Sequence, residues 1–352
     1  MPAETVAPAS AAPSRTTGGV KRDSAYSTRA HRIRYRAVVL GLILASVVLV
    51  ALLLGWGNQH ELFGEKWWRI SRMRSEGIVV IAIITFCQAF ATVAFQTATN
   101  NRIITPSIMG FESLFILIQT VAVFFFGITG LARLDGFAQF AIQSAAMVLF
   151  AVLLYTWLFS GRLGNLHVML LVGIIIGTGL GTLSTFMQRL LEPSEFDVLT
   201  ARMFGNVGNA NTDYLWFVVP VCAATGAAIW LLARRLNVLA LGREISTNLG
   251  LNHRRQVMLI LTLVTVLMAM STALVGPMTF LGFLVATLAY AITDTHDHRR
   301  ILPVAWLLGF VVLGGAYFLL KQVLTMVDTV TIIVELVGGI VFLVVVLRRG
   351  RL

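Results

Sequence analysis

Charge is what this sequence has least of. Only 12% of its 352 residues are Asp, Glu, Lys or Arg, while 57% are hydrophobic. A soluble domain carries charge on about a quarter to a third of its surface, so a water-soluble globular fold is excluded. Cysteine is nearly missing: Cys87 and Cys222 are the two in the chain, and both fall inside apolar stretches. Thiols in such places act as small buried hydrophobes, with no disulfide framework and no redox motif. A Walker A phosphate loop, a nucleophile elbow and a paired-carboxylate motif are also missing. The chain therefore does not read as an enzyme, and if ATP drives its work, another subunit binds it.

Apolar runs are present in quantity. Ten stretches approach the length of about 20 residues that crosses a bilayer core. They are 37–57, 77–98, 106–126, 136–159, 166–189, 214–233, 256–275, 278–293, 301–320 and 330–347. The expected fold class is an all-α polytopic membrane protein, and an even number of spans puts both termini on one side.

Charge sets the orientation. The net charge is +11, and in membrane proteins Lys and Arg collect on the cytoplasmic side. Nothing in the pattern suggests nucleic acid. With the N-terminus inside, 19 of the 27 Lys and Arg fall on inner segments and 8 on outer ones. Both termini are therefore expected in the cytoplasm. Residues 1–36 are polar, then basic, and too long for an ordinary signal peptide. They read as a disordered cytoplasmic tail whose Arg29, Arg32, Arg34 and Arg36 hold the first span by its inner end. Residues 37–350 form a single transmembrane domain.

Four outer charges, Lys66, Arg69, Arg72 and Arg74, crowd into "EKWWRISRMRSEG" at 65–77. Two readings stand: interfacial anchoring, with Trp67 and Trp68 at headgroup level, or a docking patch for an acidic partner. "GIIIGTGLG" sets Gly173, Gly177 and Gly181 four residues apart on one helix face. Such a face allows close helix packing, and it equally suits a dimer seam or a passage. In "TNNRIITPSIMGFES" (99–113), Thr105 suits a helix cap and Pro106 the first helical position. Asn100, Asn101 and Arg102 form a polar turn before them. Glu112 and Glu335 place carboxylates within spans, at a cost of about 2.5–3.5 kcal/mol each on insertion scales. Glu112 reads as structural; Glu335 is open between packing and a pathway. "DTHDHRR" (294–300) groups Asp294, His296, Asp297 and His298. Without further ligands at a familiar spacing, it reads as a solvated loop, not a metal site.

One polar segment interrupts the greasy runs: "LGREISTNLGLNHRR", 241–255. Leu241, Ile245 and Leu249 fall at i, i+4 and i+8 and make one narrow apolar face. Arg243, Glu244, Thr247 and Asn248 cover the rest. Gly250 is a left-handed terminator, and Asn252 caps the next helix. A separate cytoplasmic helix over about 239–250 is expected. Its stripe is too narrow for strong lipid binding, so a protein groove is the better home.

That segment resembles the cytoplasmic coupling element of the cobalamin and iron–siderophore permeases of bacterial ABC importers. Three more stretches agree in order. "AFQTATNNRIITPSIMGFES" is similar to the family's Q-x-x-x-x-N-P-L-A-x-P-x-x-[LM]-G segment, "STALVGPMTFLGFLV" to its GPIxFxGLxxPH turn, and "DHRRILPVAWLLG" to its DHRxLLP segment. The likeness covers about 37–350. "NNRIITPS" in place of Asn-Pro-Leu looks like the branch attached to catecholate-type siderophores.

The resemblance implies a type II ABC importer permease of about ten spans, moving ferric siderophore across the cytoplasmic membrane of a bacterium by alternating access. Cobalamin or haem is the alternative substrate, and a stand-alone secondary transporter the more distant alternative. It implies a second permease copy or paralogue, an ABC ATPase dimer that holds the ATP, and an extracytoplasmic solute-binding protein. No cofactor is expected on the chain itself. By the same likeness Leu241, Arg243, Glu244, Ile245, Asn248, Leu249, Gly250 and Arg254 couple to the ATPase. Arg69, Arg72 and Arg74 dock the binding protein. Gly173, Gly177, Gly181, Ser184, Glu335, Gly338 and Gly339 line the passage. No metal ligands are expected on it, because the ferric ion stays wrapped in its chelator.

Overall fold

A computed structural model describes residues 29–57, 64–134, 136–160, 166–203, 205, 207–324 and 330–349. The expected tail up to residue 28 and the inner loop 161–165 lie outside the described residues.

Among the described residues there are thirteen α-helices. They are α1 (Arg29–Gly55), α2 (Glu65–Ala98), α3 (Phe111–Leu134), α4 (Phe137–Ser160), α5 (Leu166–Gln188), α6 (Pro193–Met203), α7 (Leu215–Leu231), α8 (Ala233–Leu239), α9 (Arg243–Asn248), α10 (His253–Val275), α11 (Leu281–Thr293), α12 (His298–Phe318) and α13 (Val330–Arg349). Seven helical segments are long and apolar enough to cross a membrane, and three shorter apolar ones cover Phe111–Gly127, Leu281–Thr293 and Ile332–Val344. All ten expected spans land on one of these segments. Two of the short ones have clear breaks. Gly110 at φ 91° separates a 3₁₀ turn, Pro106–Met109, from α3. Gly276 at φ 97° stops α10, and α11 starts only five residues later. Thr105 holds the cap position before Pro106, but its hydroxyl makes no cap bond.

The longest helix departs from expectation at its start. α2 begins at Glu65, not at 77, and has 34 residues. Hydropathy does not register its first three turns because they are polar, yet "EKWWRISRMRSE" holds no Gly or Pro to stop a helix. At 1.5 Å per residue the rod is about 50 Å long, well beyond the roughly 30 Å hydrocarbon core.

α2 is also the centre of the bundle. It packs on α10, α12, α11, α7 and α1, and Ile81, Ile84, Cys87 and Phe95 have no measurable exposure. Cys87 and Cys222 meet in this core as free thiols, their sulfurs 3.3 Å apart. The periphery differs. In its most apolar window α2 is 72% buried, against 17% for α5. A greasy helix left so open faces lipid or another subunit, and α5 touches its own chain mainly through α3 and the 3₁₀ turn.

Candidate functional site

At one end of the bundle lies the polar segment around α9. The expected single helix over 239–250 is two pieces. Leu239 closes α8, and α9 is only Arg243–Asn248. Gly242 divides them at φ 92°, ψ 173°, a conformation that a side chain resists. The far end of α9 is built as read. Gly250 N–H donates to Thr247 O at 2.9 Å and Leu251 N–H to Ser246 O at 3.0 Å, with Gly250 at φ 82°. This is the Schellman pattern. Asn252 Oδ1 then accepts from Arg255 N–H at 3.1 Å and starts α10.

One side chain seats α9 on the body. Ser246 is fully buried, and its hydroxyl lies 2.8 Å from His253 Nδ1. Leu241, Ile245 and Leu249 turn the other way and are 51%, 51% and 62% exposed. Arg243, Glu244, Asn248, Gly250 and Arg254 are exposed around them. A greasy ridge is thus held out from the fold by a fixed polar foot.

Behind the ridge, α8 presses Ala233, Leu236 and Leu239 onto α2 and α12. Between them runs a polar chain from Asn237 through His298 to Thr97. The loop 294–300 is therefore not simply solvated, as expected. Asp297 caps α12 by accepting from Arg299 N–H, and His298 is 3% exposed. A cavity of about 410 Å³ lies alongside, lined in part by Asn100, Arg102, Ala240, Tyr290 and His296. Arg102 stacks over Tyr290, 4.5 Å from the ring centre. The expected polar turn here is a second Schellman end, with Asn100 at φ 49° and Asn101 N–H donating to Gln96 O at 3.0 Å.

At the opposite end of α2 the arginines divide. Arg69 and Arg72 are exposed. Arg74 is half-buried and committed: its Nη1 donates to Trp56 O at 2.7 Å and reaches Leu53 O and Leu54 O at 3.4 Å. It satisfies the last carbonyls of α1, where a cation is also favoured. Trp67 is buried edge-on to the exposed Trp68. One arginine of the segment is thus tied to α1, while Arg69 and Arg72 stay open to a partner. Arg74→Ala should cost roughly 1.5–3 kcal/mol, the worth of a hydrogen bond to a charged group, read as a lower melting temperature of the purified permease. Arg69→Ala and Arg72→Ala should leave melting unchanged.

The glycine face of α5 closes on its own chain. A methyl group placed on Gly110 would lie 2.8 Å from the Gly177 Cα, and one on Gly173 would lie 3.3 Å from Met109 Cε. Gly181 meets Ser113 at 3.7 Å. Ser184 is buried and bonds back to Leu180 O at 3.0 Å. Gly338 lets α13 settle on Phe280, where an added methyl would come within 2.6 Å of the Phe280 Cβ, and Gly339 is half-buried beside it. The face that α5 leaves open carries hydroxyls outside the expected pathway set. Thr178, Thr182 and Thr185 are exposed there, each bonded to the carbonyl four residues back at 2.9 Å. Gly179 beside them has open space. The i, i+4, i+7 threonine spacing was the available signal.

Glu112 and Glu335 meet. Thr279 Oγ1 donates to Glu112 Oε2 at 2.7 Å and lies 3.5 Å from Glu335 Oε1. One hydroxyl thus joins α3, the turn before α11, and α13. Thr279→Val should destabilise the fold by about 1–3 kcal/mol, the cost of an unsatisfied buried acceptor; an unchanged melting temperature would show that the two carboxylates find other partners.

Comparison with known proteins adds the following. A family model described as the FecCD transport family matches residues 38–348. The petrobactin import system permease protein FatC of Bacillus anthracis is 45% identical over 329 residues, covering 94% of this chain and 93% of that protein. The petrobactin import system permease protein YclO of Bacillus subtilis is 38% identical over 278 residues, covering 79% and 88%. The solved inward-facing structure of an ABC transporter assigned to the metal-chelate type superposes with a TM-score of 0.73 at 21% identity, covering 89% of this chain and 99% of the other.

Proposed function

This chain belongs to the FecCD transport family, and from that premise we propose that it is the transmembrane permease subunit of an ATP-driven importer for a ferric siderophore of the petrobactin kind. The observation that carries the substrate is the 45% identity with a petrobactin permease along nearly the whole of both chains. Cobalamin, haem and stand-alone secondary transport have no comparable support.

In this reading α9 is the coupling helix. Its ridge of Leu241, Ile245 and Leu249 enters a cleft of a separate ABC ATPase, with Arg243, Glu244, Asn248 and Arg254 at the rim. ATP binds and is hydrolysed in that partner. The α9 end then lies in the cytoplasm with both termini, and the far end of α2 lies outside. There Arg69 and Arg72 face acidic groups of an extracytoplasmic binding protein. Arg74 supports that face by holding α1. A second permease copy or paralogue covers the open side of α5. The passage runs along that seam past Thr178, Thr182 and Thr185. The glycine face of α5, with Glu335, Gly338 and Gly339 on α13, fixes where the seam lies. No cofactor or metal is held by the chain; the chelated iron is cargo.

Uptake of ferric petrobactin into vesicles holding permease, ATPase and binding protein tests the reading. Transport should require all three and ATP. Uphill transport by the permease alone would refute it. Two smaller outcomes check the arrangement. Arg69→Glu with Arg72→Glu should slow association with the binding protein most at low salt, since rim charges act chiefly on encounter; association rates equal to the parent's at low ionic strength would remove the docking face. Cysteine at Ser194, exposed on α6, should be labelled from outside, and cysteine at Thr247, exposed on α9, only from inside. Buried Cys87 and Cys222 give no background.

A further inference from the structure

The coupling element is joined to the spans by a short chain of side chains. Asn237 sits half-buried on α8, three residues before the Ala240–Gly242 turn. Its Oδ1 accepts from the His298 backbone N–H at 3.0 Å and faces His298 Nδ1 at 2.6 Å. Its Nδ2 donates to Asp297 Oδ1 at 3.1 Å. His298 Nε2 in turn lies 2.6 Å from the Thr97 hydroxyl in the last turn of α2.

The chemistry fixes the direction of these bonds. An amide oxygen only accepts, so the proton of neutral His298 is on Nδ1 and its Nε2 accepts. Thr97 must then donate to Nε2 with its single proton, and its other acceptor, Val93 O at 2.9 Å, must do without. The chain Asn237–His298–Thr97 is thus polarised end to end. His298 and Thr97 are 3% and 7% exposed, and both stand in the wall of the 410 Å³ cavity beside α8. A buried polar network whose members are satisfied rigidifies the elements it joins. Three helices are oriented by this one: α8, which leads into α9; α12; and α2, which reaches the other end of the bundle about 50 Å away.

We propose that Asn237, His298 and Thr97 are positioning residues that form the joint between coupling element and rod. Through them a displacement of α9 is passed to α2 and α12. The ATPase on one side and the binding protein on the other then act on opposite ends of one helix. This rests on reading α9 as the ATPase-coupling helix. A joint of fixed side chains is a physically connected route for coupling, and its worth is a measurable interaction free energy.

The test uses the permease assembled with its ATPase in liposomes, with the binding protein supplied. Thr97→Val keeps the shape of the side chain and removes the donor; Thr97→Ser keeps the donor. Asn237→Leu breaks the other end and carries the test should Thr97→Val fail to accumulate. Thr97→Val and Asn237→Leu should keep the ATPase bound and its basal hydrolysis intact. Stimulation of hydrolysis by ligand-loaded binding protein should fall about 5-fold or more, the lower end of ordinary allosteric coupling, and chelate carried per ATP should fall with it. Thr97→Ser should retain both. The double variant should lose no more than the worse single one, because both break one chain. Stimulation and transport at the parent level in both Thr97→Val and Asn237→Leu overturns the joint. Ile245→Asp run in parallel separates the two claims. If that variant still assembles, the reading of α9 fails. If it falls apart while Thr97→Val and Asn237→Leu transport normally, only the joint fails.

Discussion

Ile245→Asp should separate the permease from its ATPase while leaving the permease itself intact. The two halves of this expectation come from one number: Ile245 is 51% exposed in the isolated chain. Its own fold gains little from it, so the substitution should change permease stability by no more than about 0.5 kcal/mol, the range for surface changes away from special features. In the proposed coupling arrangement the side chain is buried in the partner's cleft. Losing a buried isoleucine costs about 1.5–3 kcal/mol, and placing a carboxylate in an apolar cleft without a partner costs several kcal/mol more. A two-permease assembly carries two coupling helices, so the loss occurs twice. Each 1.4 kcal/mol is tenfold in affinity, and the complex should therefore be lost on affinity purification. The permease should still be recovered at its normal level and melting temperature. Co-purification of ATPase at the parent level sinks the coupling assignment. Glu244→Ala at the rim should show a much smaller effect, because rim charges contribute little to affinity.

The features legible in the sequence were those written in local spacing. Seven of the expected spans carry a full crossing length and three match only shorter apolar helices, and the expected orientation rests on the bias of Lys and Arg. Gly250 and Asn252 could be given their places because a helix stop and a helix cap are local chemistry. The helix α6 is polar and gives no span signal, although Pro193 at its first position and Arg202 in its last turn are local helix signals. The start of α2 was hidden for the same reason. What the sequence could not show were partners far apart in the chain. His298 looked solvated because Thr97 is 201 residues away. Glu112 and Glu335 looked like separate oddities until Thr279 stood between them. Arg74 looked like its neighbours because nothing local says that the carbonyls of α1 end beside it. Gly173, Gly177 and Gly181 stood open between close packing, a dimer seam and a passage, and their contact with Met109, Gly110 and Ser113 of the same chain is a property of the fold. The proposed cargo rests on the relatives' names, because neither hydropathy nor packing contains it.

Gly177→Leu should remove the permease from the membrane, not merely block it. Gly177 and Gly110 touch through their backbones: a methyl on either would meet the other's Cα at 2.8 Å. Gly110 is at φ 91°, so the turn it makes cannot be re-formed around a side chain without strain. A leucine at 177 must therefore push α5 off the 3₁₀ turn. Overpacking by single methylenes already costs about 1–3 kcal/mol, and four carbons would take most of a marginal stability of about 5–15 kcal/mol. Gly179→Ala two residues on meets nothing within 4 Å and should accumulate normally. The pair distinguishes the two roles a glycine face can have. If the face lined an open passage, Gly177→Leu would accumulate at parent levels and only transport would fail. If it is the contact that seats α5, the protein itself is lost, and the passage belongs to the neighbouring face of Thr178, Thr182 and Thr185. Replacing those three with valine would then leave the fold in place, since each donates only within its own helix, while changing the rate at which chelate passes.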